Sequence, residues 1–467
     1  MKILVAIANF GTSNDNFLAT LLRTYREMSH DVHVVVLTDK PKDLGPDVEV
    51  VAGLPYPNPR ALPFAHKQIF ADRIEAYDLF IYSEDDTPVS EQNIDAYLRV
   101  TQVLPENEIA GFFRTEADAQ GNVFFSTVHS HFHWVPGSVR QRGGYTFAVF
   151  TNDHSACYLL TRGQLRRAIA SGGFLVEPHD GKYSLMVSAA TDPYTQCGFQ
   201  KVICISHLDD FITPHLPNKY LGRLGLSKRA LERELHRLIE VQGQPSLYRI
   251  LFEVETKVRY CQWAKNYYEH PRPELVDAVP QAARSVLSVG CGSGATEKEL
   301  IKQGKKVTGV PLDAVVAVTA EDEGVEIVHG SLEGARKALE GRRYDCLLLS
   351  NVLQVVPDPQ SLLTMYGALV ADRGWVVVRS PNFRFARIAW KCLMGHPDYK
   401  DLGDFSKMGV HPINRKDISR WLAQAGFRAT ECHWVVSRKY RDQSRWLGGF
   451  FDEILSEEMV IVGQREL

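Results

Sequence analysis

The chain has 467 residues, more than one ordinary hydrophobic core organises, so two or three domains are expected. Hydrophobic residues make up 45% and charged residues 23%, the balance of a globular protein, which excludes a largely disordered chain, a fibre and a multi-span membrane protein. Lysine plus arginine number 53 against 56 aspartate plus glutamate, a formal net charge of -3, so no global positive excess points to nucleic acid.

Residues 2–8 (KILVAIA) and 32–38 (VHVVVLT) are short β-branched runs. Between them Leu18, Leu21, Leu22 and Tyr25 have helical spacing. Strand, helix, strand opens a parallel α/β sheet. A Pro-rich loop (LPYPNPRALP), a helix (HKQIFADRIEAY) and the strand DLFIYS follow. Residues 227–242 are helical and charged, with Ser227 as N-cap, and 246–268 form a second, aromatic-rich helical stretch. From 285, SVLSVGCGSGATEKELIKQGKKVTGV reads as strand, glycine-rich turn, helix and strand. YDCLLLSNVL, a helix around 359–371 and GWVVVRSP complete a second doubly wound α/β unit. The fold class is therefore α/β in two different domains, 1–221 and 271–467, joined by a helical linker at 222–270.

Eight cysteines, at 157, 197, 204, 261, 291, 346, 392 and 432, form no C-x-x-C pair, and most lie in apolar runs. They read as reduced, buried thiols of a cytoplasmic protein. The opening MKILVAIANFGTSND lacks the long apolar stretch of a signal peptide and reads as a buried strand. No run approaches the ~18 apolar residues of a membrane span.

In the first domain an apolar strand runs into three consecutive carboxylates, Glu84-Asp85-Asp86. Ligands of open α/β sheets bind beyond the carboxyl ends of the strands, and clustered carboxylates there repel unless a cation neutralises them. A solvated acidic loop is the competing reading. This order of motifs resembles a GT-A-type nucleotide-sugar glycosyltransferase, with Glu84-Asp85-Asp86 matching its D-x-D-like motif. The resemblance implies Mn²⁺ or Mg²⁺ held by Glu84, Asp86 and a late histidine, His215 or His207. It implies donor contacts from Ala8, Asn9, Asp39 and Asp85. Lys67 is placed to meet a phosphate, with an ordinary surface lysine as the alternative. Asp192, ahead of a helix, is the candidate general base, with a helix cap as the competing role and Glu177 as the weaker alternative. His129, His131 and His133 alternate and face one side if they lie on a strand. Same-side positions on one strand rarely give a tetrahedral zinc site, so a half-buried strand or polar wall is expected.

In the second domain Gly290, Gly292 and Gly294 follow a strand and open a helix, allowing a tight turn and close approach to a ligand. With the later strands, the order resembles a class I S-adenosylmethionine-dependent methyltransferase over roughly 260–467, implying S-adenosylmethionine as cofactor. Several acidic positions of that family are replaced: Ser288 precedes the glycines, Pro311 closes the second strand, Ser331 stands near the adenine position, and Gln354-Val355 replaces Glu-His. Asp313 is the candidate substitute at the ribose. A carboxylate gives stronger, charge-assisted hydrogen bonds, so both retained methyl transfer and a degenerate scaffold stay open. His411 is a candidate base.

Together these features imply a bifunctional glycan-modifying protein. Its first domain transfers a sugar from a nucleotide-sugar donor to a glycan acceptor, and its second methylates the glycan or serves as scaffold. Two alternatives stand: a methyltransferase whose first domain only recognises glycan or nucleotide sugar, and a non-catalytic nucleotide-sugar-binding protein. A glycan-assembly role implies a cytoplasmic protein in peripheral association with the inner membrane face.

Overall fold

The apolar run after Met1 forms strand β1 (Lys2–Asn9), whose residues Ile3 to Ile7 are fully buried. In the computed structural model, which describes residues 1–466 except 129–130, 222–224, 249–255, 257, 259–262 and 447, the chain divides into two compact units. One comprises 1–128 and 133–235, the other 129–132 and 236–467. Among the described residues no helix is long and apolar enough to cross a membrane.

In the first unit β1 lies between β2 (Asp31–Thr38) and β4 (Leu79–Glu84), parallel to both. β3 (Val48–Ala52) extends the sheet parallel to β2, and Cys157–Thr161 closes it antiparallel on β4. The register sets Ala8 opposite both Leu37 and Glu84, so the acidic turn emerges beside the end of β1. Helix Asp15–Arg26 buries Leu18, Leu21, Leu22 and Tyr25, the face its spacing predicts. Each such side chain removed from water contributes roughly 1.5–3 kcal/mol. Among the described residues two four-stranded sheets complete the unit. In one, Ile212–Pro214 pairs parallel with Phe113–Ala117, with Pro214 opposite Thr115.

Among the described residues the second unit is built on a seven-stranded sheet. Its order is Glu326–Ile327, Lys306–Pro311, Ser285–Cys291, Tyr344–Ser350, Val370–Pro381, Ser456–Arg465 and Phe427–Val436. The strands of the first five pairwise neighbours are parallel, and Ser456–Arg465 runs antiparallel to both of its neighbours. The chain starts at Ser285–Cys291, winds to one edge, then returns to Tyr344–Ser350 on the other side. The crevice of such a fold opens at that reversal, beyond the carboxyl ends of these two strands.

Several local expectations are corrected. The helix expected over HKQIFADRIEAY ends at Asp72, where Arg73 closes it onto Phe70 O and turns follow. The Pro-rich loop contains a 3-10 helix, Pro59–Ala65, capped by the Asn58 side chain. Ser227 does accept from Ala230 N, and its helix spans Lys228–Val241. Of the aromatic-rich stretch, only Pro245–Tyr248 is a described helix, and much of the rest lies outside the described residues. The histidine ladder is not a strand: His131 and His133 precede the strand that starts at Trp134, and His129 lies outside the described residues. Five of the described cysteines are buried and all are free thiols, but Cys392 is exposed and Cys432 half-buried.

His66 is sealed between Tyr82 and Tyr158 in the first core, its ring 4.2 Å from that of Tyr82. A carbonyl only accepts, so Nδ1–H donates to Pro63 O and Nε2 accepts from the Tyr158 hydroxyl. Burial pushes the imidazole down to about 3. The unfolded chain takes up this proton below pH ~6.5 while the folded one stays neutral. The stability is therefore complete above ~6.5 and declines as pH falls, by up to ~1.4 kcal/mol per unit. Urea unfolding at stepped pH is expected to show this slope between pH ~6.5 and ~5, and His66→Gln to flatten it; equal slopes in both would contradict the assignment.

Candidate functional site

At the carboxyl edge of the first sheet, polar side chains converge from β1, β2 and β4. Asn9, buried at the end of β1, donates through Nδ2 to Asp85 Oδ2 at 2.7 Å, and Asn14 Nδ2 donates to Asp85 Oδ1 at 2.7 Å. Asp39, just past β2, accepts from Gly11 N at 2.8 Å. Lys42 Nζ donates to Asn9 Oδ1 and Gly11 O, each at 2.5 Å, and pairs with Asp15. The structure thus brings Asn9, Asp39 and Asp85 together and adds Lys42, which sequence reasoning missed. Its signal was a lysine three residues after the strand-ending aspartate. Asp85 is raised above the ordinary carboxylate value by burial, against the two asparagine hydrogen bonds.

Asp86 points the other way. His215 N is tied to Thr115 O at 2.7 Å by the short parallel pairing, which sets its ring between two carboxylates. Nδ1 lies 2.6 Å from Glu116 Oε1, and Nε2 lies 3.5 Å from Asp86 Oδ2. Burial opposes the Asp86 carboxylate, but His215 holds it below the usual range. Packing and the charge of Asp86 push Glu84 up to about 8, although 31% of its side chain still meets solvent. Glu84, Asp86 and His215 therefore share a neighbourhood. Among the described residues, however, no group of three or more His, Cys, Asp or Glu is arranged to hold a metal ion. The described residues therefore give no support to the expected Mn²⁺ or Mg²⁺.

Lys67 and Asp192 stand apart from that edge. Asp192 lies inside helix Leu185–Thr195 rather than ahead of it, fully buried, ion-paired with Lys67 and 3.1 Å from His179 Nε2. Lys67 is buried too, 4.4 Å above the Phe64 ring, so it is no surface lysine. Burial pulls its ammonium below the ordinary lysine value, against the pull of Asp192. Glu177 is exposed. His207 is exposed as well, its Nδ1 3.0 Å from Ser206 Oγ. Removing one partner of a buried pair costs about 3–5 kcal/mol. Asp192→Asn is expected to lose that much in urea unfolding; a loss within ~1 kcal/mol, the scale of an exposed pair, would contradict it.

In the second unit the glycine loop closes at the strand reversal. Gly290 (φ 85°) makes the break in register between Val289 and Cys291, and a Cβ there would lie 2.0 Å from Val352 Cγ2. A Cβ on Gly292 would lie 2.2 Å from the carbonyl oxygen of Tyr267, which accepts from Ser293 N at 2.8 Å. Gly294 (φ 84°) caps helix Ala295–Lys302 and would meet Ala320 at 2.6 Å. Asp313 is buried, and its Oδ1 accepts from Val315 N at 2.8 Å and Val316 N at 3.2 Å, turning the chain after its strand. Ser288 donates to Glu297 Oε1 at 2.6 Å. Glu297, buried in the following helix and raised by that burial, sets a carboxylate where the strand itself has none. Its signal was an acid three residues past the last glycine.

Beside the loop a charged network is buried. Lys265 Nζ donates to Ser350 O at 2.8 Å, and Ser350 Oγ donates to Glu269 Oε1 at 3.1 Å. Arg379, wholly buried, meets Glu269 at 3.2 Å and Glu274 at 3.4 Å, and pairs with Glu458. Just past Ser350, Asn351 adopts φ 50°. Asn351 Oδ1 and Gln354 Oε1 are buried with no hydrogen-bond partner among the described residues. His411 stacks 4.4 Å from Phe405, and its Nε2 lies 3.0 Å from Val356 O and 3.2 Å from Pro357 O, so that nitrogen carries a proton and ties down the loop. Ser331 caps a helix through Gly334 N.

Residues 229–431 match the family model for a methyltransferase domain. The C-terminal half of the chain is a Rossmann-like methyltransferase domain. It is similar to the ubiquinone biosynthesis O-methyltransferase of Pectobacterium carotovorum subsp. carotovorum (strain PC1), at 29% identity over 166 residues, covering 34% of this chain and 64% of the relative. The enzyme of that name from Bordetella avium (strain 197N) is 31% identical over 104 residues, covering 21% of this chain and 43% of the relative. The chain thus spans less than two thirds of either relative's length. A solved S-adenosylmethionine dependent methyltransferase from Mesorhizobium loti overlaps 41% of this chain and 96% of its own, at 14% identity and a TM-score of 0.31.

Because its neighbour is backbone, Gly292→Ala forces the segment at Tyr267 off the loop. The expected cost is about 1–3 kcal/mol in thermal or urea unfolding. An unchanged melt would contradict this packing.

Proposed function

We propose that the methyltransferase domain binds S-adenosylmethionine and transfers its methyl group to a hydroxyl oxygen of an acceptor. One observation carries the reading: the glycine cradle lies at the strand reversal beside two buried amide oxygens, Asn351 Oδ1 and Gln354 Oε1, that have no hydrogen-bond partner among the described residues. Buried acceptors are ordinarily satisfied, so such a pair fits a ligand's donors. The backbone of 290–294, the turn at Asp313 and Asn351 would hold the cofactor, whose sulfonium methyl is the electrophile of this chemistry. An amide oxygen accepts a hydrogen bond but does not take up the proton, so Gln354 orients rather than deprotonates. Both relatives are named for O-methyl transfer, which supports oxygen as the acceptor atom.

In this reading the first unit recognises the acceptor, a glycan or nucleotide sugar. The support is the Asn9, Asp39, Lys42 and Asp85 cluster at the end of a parallel sheet, with donors and acceptors for ribose and base edges. Sugar transfer by this unit is a second reading, favoured by the register that sets Glu84 beside Ala8. No step through a metal is assigned to it.

Transfer of labelled methyl from S-adenosylmethionine to a panel of phenols, sugars and nucleotide sugars tests the main reading. Label is expected on a hydroxylated acceptor, with Asn351→Leu lowering transfer at least about tenfold, the worth of a lost hydrogen bond to a charged or buried group. No transfer to any acceptor, or full transfer by the variant, would overturn it. For the first unit, calorimetry with nucleotide sugars is expected to show binding that Lys42→Met weakens about tenfold or more. Binding indifferent to Lys42 would remove this cluster from the site.

A further inference from the structure

Two adjoining segments of the second unit turn large apolar side chains to solvent. On helix Ala386–Leu393, Trp390 is 62% exposed and Leu393 77%, and Met394, next in line, is 65% exposed. Their spacing of three and four puts them on one face, while Phe385 and Ile388 are buried. In the stretch after residue 440, Trp446 is 86% and Phe450 87% exposed. The segments touch: the rings of Phe385 and Tyr440 lie 5.8 Å apart, Asn382 Nδ2 donates to Glu453 O at 2.6 Å, and Arg384 pairs with Glu453 at 3.1 Å.

Both segments leave the same edge of the sheet. One follows strand Val370–Pro381 directly, and the other runs into Ser456–Arg465, its antiparallel neighbour. That is the edge at which open α/β sheets bind their ligands. Among the apolar groups stand Arg387, Lys391, Lys439, Arg441 and Arg445. Residues 382–394 contain no acid, and in 439–455 Asp452 is held by Ser444 and Glu453 by Arg384, leaving Asp442 on the exposed surface.

Aromatic and long apolar side chains ringed by arginine and lysine are the composition of a surface seated in the headgroup region of an anionic bilayer. A second copy meeting this face through a two-fold contact would set cations against cations, which disfavours self-association. We propose that this face docks onto an anionic lipid surface, placing the ligand edge of the methyltransferase domain against the membrane. Only the meaning of that edge rests on the methyltransferase reading; the docking itself stands on the exposed residues.

The test is co-sedimentation of the full chain with vesicles of phosphatidylcholine alone or with a third of phosphatidylglycerol, at low and high salt. Binding is expected only with the anionic lipid, weakened by salt, with a blue shift of tryptophan emission. Each cation near such a surface is worth about 1 kcal/mol, so the paired variant Arg441→Glu and Arg445→Glu should weaken binding at least about tenfold. Trp446→Ser with Phe450→Ser should lose both binding and blue shift. Calorimetry with S-adenosylmethionine, without vesicles, checks that the variants remain folded and reads the methyltransferase proposal separately. Three results would each overturn the docking: equal sedimentation with neutral vesicles, binding unchanged in both variants, or a concentration-dependent dimer dissolved by the same substitutions.

Discussion

The second unit depends on one steric constraint: at the strand reversal, neighbouring atoms crowd the loop backbone so closely that no side chain fits. Tyr267 O occupies the place of a Cβ on Gly292, Val352 that of one on Gly290, and Ala320 that of one on Gly294. Left-handed turns at Gly290 and Gly294 then swing the chain from strand into helix within four residues. Everything nearby follows from this closure. Val352 must stay at the loop, so Asn351 beside it is held at positive φ with its side-chain oxygen buried. The segment through Lys265 and Glu269 is drawn over the strand ends, where its charges must be paired.

That pairing explains how the domain accommodates its missing acids. A neutral serine at 288 would be an unusual neighbour for a polar ligand site, but Glu297 reaches back to it from one turn into the helix. Arg379, buried among three glutamates, balances the charge brought in by Glu269. Removing a single partner from such a network leaves a buried charge uncompensated, which is costly. Counting acids at fixed positions therefore understates what the site retains.

Much of the fold was legible because it rests on local pattern. β-Branched runs marked β1 and β2, and the Leu18–Tyr25 spacing marked the first helix. The glycine triplet marked the loop because tight turns between strand and helix require it. Side-chain partnerships were less legible, since they depend on strands far apart in sequence. His215 reaches Glu116 only through the pairing of Ile212–Pro214 with Phe113–Ala117. Lys67, read as a phosphate contact or a surface lysine, and Asp192, read as a general base or a helix cap, instead pair with each other in the core. Periodicity misled at the histidine ladder, where alternation of residue type was not accompanied by strand geometry.

The most direct measurement is isothermal titration of the intact chain with S-adenosylmethionine and its demethylated product. Saturable one-site binding is predicted, abolished by Gly292→Ala and weakened by Asn351→Leu. A folded chain that binds neither compound, or that binds them equally well with Gly292 replaced, would contradict the account.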